Sequence, residues 1–220
     1  LLNVFPSLAK LTNLEEQLLS LIPGITSFEN QAVNTNLKRI SMADLGITSN
    51  VLPLWVKNSV CENLNLDAYY VGETTNEFDS EIVAPLKTTL EYLSLSGVTI
   101  NYPMPESFSE LIKLESLTMG RDFPAENFTF PSDLSPLTAF KILNLSEKIS
   151  FPLAQVKRFI HEVPAVGKNI NLRTFGATLS SKDFILDDDD YSVEVLVVSC
   201  GRWKNGVPPT CVGQMKNLKA

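Results

Sequence analysis

Only three cysteines and one histidine occur in 220 residues, and the ten glycines are scattered singly. Cys61, Cys200 and Cys211 form no C-x-x-C pair and have no histidine near them, so the spacing of a structural zinc site is missing. His161 stands between Phe159-Ile160 and Val163-Pro164 without a Ser or Cys in a nucleophile setting, which argues for a structural or surface histidine and against a hydrolytic triad. A glycine-rich phosphate loop, a G-x-S-x-G elbow and an H-E-x-x-H helix are all absent. The expectation is a non-enzyme without cofactor or metal. Long apolar runs are missing too. Stretches such as Val195-Leu196-Val197-Val198 fall far short of the roughly 18 residues that a membrane span requires, so none is expected. Positive charge is scarce, with 18 Lys and Arg against 25 Asp and Glu and a net charge of −7, which weighs against nucleic acid as a partner. The chain starts at Leu1 with no Met and no charged leader, and reads as a fragment or mature part of a longer chain.

What the chain has in excess is leucine, 31 residues of 220, and many of them recur in one local arrangement. The spacing L-x-x-L-x-L, with aliphatic substitutes, occurs at Leu37-x-x-Ile40-x-Met42, Leu90-x-x-Leu93-x-Leu95, Leu114-x-x-Leu117-x-Met119 and Val193-x-x-Leu196-x-Val198. Looser copies are Cys61-x-x-Leu64-x-Leu66, Phe140-x-x-Leu143-x-Leu145 and Leu172-x-x-Phe175-x-Ala177. Their starts lie 24, 29, 24, 26, 32 and 21 residues apart. Between them runs a second pattern, a Pro followed by an apolar residue at every third position. Examples are Pro105-x-x-Phe108-x-x-Leu111-x-x-Leu114, Pro131-x-x-Leu134-x-x-Leu137-x-x-Phe140 and Pro209-x-x-Val212-x-x-Met215-x-x-Leu218. A strict period of three suits a 3₁₀ turn or one helical turn, whose residues i and i+3 share a face. The opening 50 residues are less regular: Phe5, Leu8, Leu11 and Leu14 keep the spacing of three, and Leu18 to Ile22 suggest a strand ended by Pro23-Gly24.

These residues resemble the leucine-rich repeat family. Asn205-Gly206-Val207-Pro208-Pro209, followed by Gly213 to Leu218, is similar to the plant-type repeat with its G-x-[IV]-P element. The resemblance implies an α/β solenoid, or horseshoe, with a parallel sheet on its concave face and short helical turns on its convex face. It covers residues 1–220 as one domain of about seven to eight repeats, and implies recognition of a macromolecule on the concave face. A strand of a few residues plus one turn cannot bury its own apolar face, whereas stacked neighbours share a continuous core.

Four carboxylates in a row, Asp187 to Asp190, repel one another and read as a solvated loop. They lack the D-x-[DN]-x-[DN]-G spacing of a calcium loop. A surface carbohydrate-processing enzyme built on that cluster is the weaker alternative function, because two catalytic carboxylates must face each other across a cleft. A structural ectodomain segment of a receptor, with its ligand held elsewhere, is the other. Two sequons occur, and Asn127, in a segment between motifs, is a better glycan acceptor than Asn144, which falls between two core leucines. Cys200 and Cys211 can pair in an oxidising compartment or remain free thiols, while Cys61 reads as a buried small hydrophobe. The sequons and the plant-type resemblance favour a cell-surface or secreted setting, with a cytoplasmic immune-receptor-like repeat domain as the alternative.

In a strand whose motif leucines point inward, the positions between them face water. They bring Glu62, Asn63, Asn65 and Asp67 beside Glu91 and Tyr92, then Glu115, Lys141 and Arg173. Like charges on neighbouring strands cost free energy unless a partner or water neutralises them. The acidic column Glu62, Asp67, Glu91 and Glu115 is therefore a candidate site for a protein or peptide with a basic segment, with Tyr92 as an aromatic anchor.

Overall fold

The computed structural model describes residues 11–20, 35–43, 54–67, 84–96, 103–120, 129–146, 155, 158, 162–163, 169–174 and 195–200. They include eight strands: β1 (Glu16–Ser20), β2 (Arg39–Ala43), β3 (Asn63–Asn65), β4 (Tyr92–Ser96), β5 (Ser116–Gly120), β6 (Ile142–Ser146), β7 (Asn169–Thr174) and β8 (Val195–Cys200). All eight form one sheet in chain order, and every neighbouring pair is parallel. Parallel neighbours cannot be joined by a hairpin, so each step needs a crossover. Among the described residues the crossovers contain the one-turn helix α1 (Leu54–Lys57) and 3₁₀ turns at Ala84–Leu86 and Glu106–Glu110. The architecture is α/β and repeat-like, with little helix.

Each strand begins two residues after the first residue of its motif, and from β2 to β6 one backbone pattern recurs there. The carbonyl of Glu15 accepts the N–H groups of both Lys38 (2.8 Å) and Arg39 (3.0 Å). The carbonyls of Lys38, Glu62, Glu91 and Glu115 do the same for the next repeat, ending with Lys141 and Ile142 on Glu115. Five consecutive steps are thereby held in one register, and the residues at the strand mouths line up.

Inward positions alternate with outward ones, as in β4, where Leu93 and Leu95 are buried and Tyr92 is exposed. The motif residues of β2 to β5 are all buried: Leu37, Ile40 and Met42; Cys61, Leu64 and Leu66; Leu90, Leu93 and Leu95; Leu114, Leu117 and Met119. Each of the Leu, Ile and Met side chains contributes about 1.5–3 kcal/mol when fully buried. The period-three segments between strands are buried at every third position. Phe108 and Leu111 are buried on one, and Leu134, Leu137 and Phe140 on the next. Residues 131–140 form successive turns without a 3₁₀ helix, yet their buried residues keep the same one-in-three spacing.

Two expectations about register change. The first strand, Glu16–Ser20, starts two residues before the expected Leu18, and Leu21 and Ile22 lie outside the described residues. Gln17 pairs with Ile40 and Leu19 with Met42, so the motif reads Leu14-x-x-Gln17-x-Leu19, with the buried amide Gln17 where other repeats have an aliphatic residue. That polar residue hides the motif from a search for apolar spacing. In β7, Ile170 pairs with Leu143 and Leu172 with Leu145. Leu172 thus closes its motif instead of opening it, and the repeat reads Gly167-x-x-Ile170-x-Leu172, five residues earlier than expected. A glycine stands where the other repeats open on an apolar side chain, so this copy also escapes an apolar search. With this register the motif steps from 114 onward become 26, 27 and 26 residues.

Candidate protein-binding face of the sheet

The strand-mouth residues form a row running Glu15, Lys38, Glu62, Glu91, Glu115 and Lys141, because each is held by the same doubled backbone bond. Its two ends are internally neutralised. Lys38 Nζ lies 3.2 Å from Glu15 Oε2, and Lys141 Nζ lies 2.6 Å from Glu115 Oε1. The hydrogen bond to Glu115 is the main influence holding the Lys141 ammonium above its ordinary pKa, with the charges of Glu115, Tyr92 and Glu91 adding to it. Exposed pairs of this kind add little to stability, so their larger effect is to cancel the local field. Glu62 and Glu91, in the middle of the row, make no ion pair with any described residue.

Beside them stands Tyr92, with 41% of its surface exposed. Its hydroxyl donates to Glu115 Oε2 at 3.5 Å, and Glu115 is in turn tied to Lys141. The ring is therefore tethered at its far end while it stays open to solvent. In the strand register Tyr92 lies between Asn63 and Ser116.

The expected four-membered acidic column is shortened by the structure. Asp67 does not stand in it. Its Oδ1 accepts the Ser94 hydroxyl at 2.5 Å and the Ser96 backbone N–H at 2.8 Å, beyond the point where the β3–β4 ladder stops at Asn65 and Ser94. The carboxylate thus replaces strand pairing, which accounts for the brevity of β3. Asn65 is engaged locally as well, its Oδ1 accepting the Asp67 N–H at 2.8 Å. Glu115 is occupied by Lys141, leaving Glu62 and Glu91 as the two open carboxylates.

Other expected site residues are more dispersed. Asn63 is half-buried at the start of β3. Arg173 pairs with Ser199 on β8 and does not share the register of Lys141, because the β7 motif starts five residues earlier than the leucine spacing suggests. Asn144 spends its amide on Thr118 Oγ1 at 3.2 Å. Cys61 is a buried free thiol whose Sγ contacts the Asn63 carbonyl at 3.2 Å, and burial pushes its pKa up to about 12. Cys200 lies in β8, in register with Thr174. Cys211, Asn127, His161 and Asp187 to Asp190 lie outside the described residues. Among the described residues no group of His, Cys, Asp or Glu is arranged to hold a metal ion, and no helix is long and apolar enough to cross a membrane.

Sequence reasoning missed Glu15, Glu16 and Leu18 on this face because it started the first strand two residues late, at Leu18. Glu16 approaches Arg39 to 3.7 Å, and Leu18, in register with Ser41, is 65% exposed. The signal was present: Glu15-Glu16 follow Leu14 as Lys38-Arg39 follow Leu37. The chain matches no protein-family model, and no curated protein is similar to it in sequence.

Proposed function

We propose that this chain is a non-catalytic recognition or scaffold module of the leucine-rich repeat kind, which binds a protein or peptide on the outward face of its sheet. The observation that carries this reading is the open pair Glu62 and Glu91 beside the exposed ring of Tyr92, in a row whose other charges are already matched. A basic side chain of a partner supplies the missing counter-charge, and Tyr92 supplies amphipathic contact area of the kind enriched at interface anchors. Strand order that follows chain order, with steps of similar length, supports a solenoid whose sheet lines the concave side. A cell-surface or secreted setting goes with this reading, and mass spectrometry for a Cys200–Cys211 disulfide and an Asn127 glycan on the natively expressed protein tests it. Free thiols and an unmodified Asn127 would favour the cytoplasmic alternative.

The binding test is panning of a displayed random-peptide library on the purified chain, followed by affinity measurement of the enriched synthetic peptides. Enriched peptides should carry Arg or Lys, and Glu62→Lys combined with Glu91→Lys should weaken them at least tenfold. Unchanged affinity in the double variant would overturn the proposed face.

A further inference from the structure

On the side of the connections, the segment 129–134 between β5 and β6 satisfies its backbone in an unusual way. The 3₁₀ turn Glu106–Glu110 is largely self-contained, with Phe108 N–H on the Pro105 carbonyl and Leu111 N–H on the Phe108 carbonyl. Segment 129–134 instead depends on groups from the connections before and after it. From the preceding connection, Met104 N–H donates to the Thr129 carbonyl at 2.8 Å. Glu106 accepts the Ser132 N–H at 3.0 Å and the Ser132 hydroxyl at 2.9 Å.

From the following connection come three side chains. Gln155 Oε1 accepts the Phe130 N–H at 3.0 Å, and Glu162 Oε2 accepts the Leu134 N–H at 3.3 Å. Arg158 donates to the carbonyls of Phe130 (3.4 Å), Pro131 (2.8 Å) and Ser132 (3.0 Å). Its guanidinium is aimed by Glu162, four residues on, which it grips at two points, 2.6 and 2.8 Å. A planar fork with five fixed donors can hold a carboxylate and several carbonyls at once, which a lysine ammonium on a flexible stem cannot reproduce.

We infer that Arg158, with Glu162, Gln155 and Glu106, forms a clasp that makes three successive connections order and open as one conformational unit. Each connection alone leaves backbone groups of 129–134 without partners, and a half-made polar network is costly, so the states with all bonds or none are favoured over partial ones. Contact between repeats in a stacked fold is limited to nearest neighbours, and a middle segment held from both sides is the element through which those neighbours communicate. Phe130 adds an apolar tie, its ring centroid 6.4 Å from that of Phe108.

Amide hydrogen exchange resolved by residue tests this on the intact chain. The Phe130, Ser132 and Leu134 amides, although outside any strand or helix, should be protected. Arg158→Met and Arg158→Lys should each accelerate all three at least tenfold, leaving Leu93 and Leu117 unchanged. The reciprocal variant decides the matter: Glu106→Ala removes side-chain hydrogen bonds to Ser132 alone, the Glu106 charge acting on Arg158 only through space, yet it should also accelerate Phe130 and Leu134, whose acceptors are Gln155 and Glu162. If Glu106→Ala frees Ser132 alone, the connections open separately and the clasp is refuted. Because Glu106 is solvent-exposed, this variant keeps the test decisive even if substitutions of Arg158 impair folding.

Discussion

The ammonium of Lys141 reaches back across one strand step to Glu115, with Nζ 2.6 Å from Oε1, and Glu115 at the same time receives the hydroxyl of Tyr92. Three residues from three repeats are thereby joined on the outward face. The Lys141 pKa is raised above its ordinary 10.5, chiefly by this hydrogen bond. A raised folded value means that the pair's contribution is fully present below the unfolded pKa and is lost as pH rises through the folded one. An NMR titration of the Lys141 side chain should place its midpoint above 10.5, and Glu115→Gln should bring it down. A midpoint that ignores Glu115→Gln would show that the pair does not persist in solution.

Cys61 gives a second alkaline effect with its own cause. Burial raises its thiol from 9.0 to about 12, so between those values the unfolded chain loses a proton that the folded chain retains. Stability should then fall with rising pH by up to roughly 1.4 kcal/mol per unit. Cys61→Val, which keeps a small apolar side chain in the motif, should remove that slope in urea unfolding across the lower part of this alkaline window. The native thiol should also resist a thiol-reactive dye at mildly alkaline pH and react only on unfolding. Rapid labelling of Cys61 in the native chain, located by peptide mass mapping apart from Cys200 and Cys211, would contradict the burial.

The parts of this fold that were legible in the sequence are those governed by hydrophobic spacing. Leu37, Leu90 and Leu114 announce their strands because aliphatic residues fill every inward position, and Leu134, Leu137 and Phe140 announce a run of turns by their period of three. Legibility fails where a polar residue takes an inward position, as Gln17 does. It fails again where Gly167 opens a motif without a side chain and a competing apolar spacing that starts at Leu172 takes its place. The candidate site was only half legible for a related reason. Spacing shows which residues face outward, but not whether a carboxylate is already engaged, and Asp67 and Glu115 are both spent on neighbours. The Arg158 clasp was invisible, since it joins side chains to backbone carbonyls some 26 to 28 residues away with no repeating pattern.

Asp67 provides a test of that distinction between structural and open carboxylates. It accepts from Ser94 and Ser96, closing the end of the β3–β4 pair, so Asp67→Ala leaves two donors to find water. The expected cost is about 1–3 kcal/mol in urea unfolding. Affinity for peptides selected on the sheet face should change by less than twofold at a temperature where the variant is folded. A variant of unchanged stability with tenfold weaker binding would return Asp67 to the binding face.

The β7 register makes the most direct claim on the sequence reading, since it moves one repeat by five residues. Ile170 stands in step with Leu143 and Leu196, whereas Asn171 stands with Asn144 and Val197. Successive strand residues face opposite sides of the sheet, so this register assigns position 170 to the core row and position 171 to the outward row. Truncating a core aliphatic residue to Ala costs about 2–5 kcal/mol, whereas surface changes stay within about 0.5 kcal/mol. Ile170→Ala should therefore lower the urea midpoint as Leu117→Ala does, and Asn171→Ala should behave like Thr118→Ala, with little effect. Were Asn171→Ala the damaging member of the pair, β7 would be shifted by one residue relative to β6, because a shift of one exchanges the two faces.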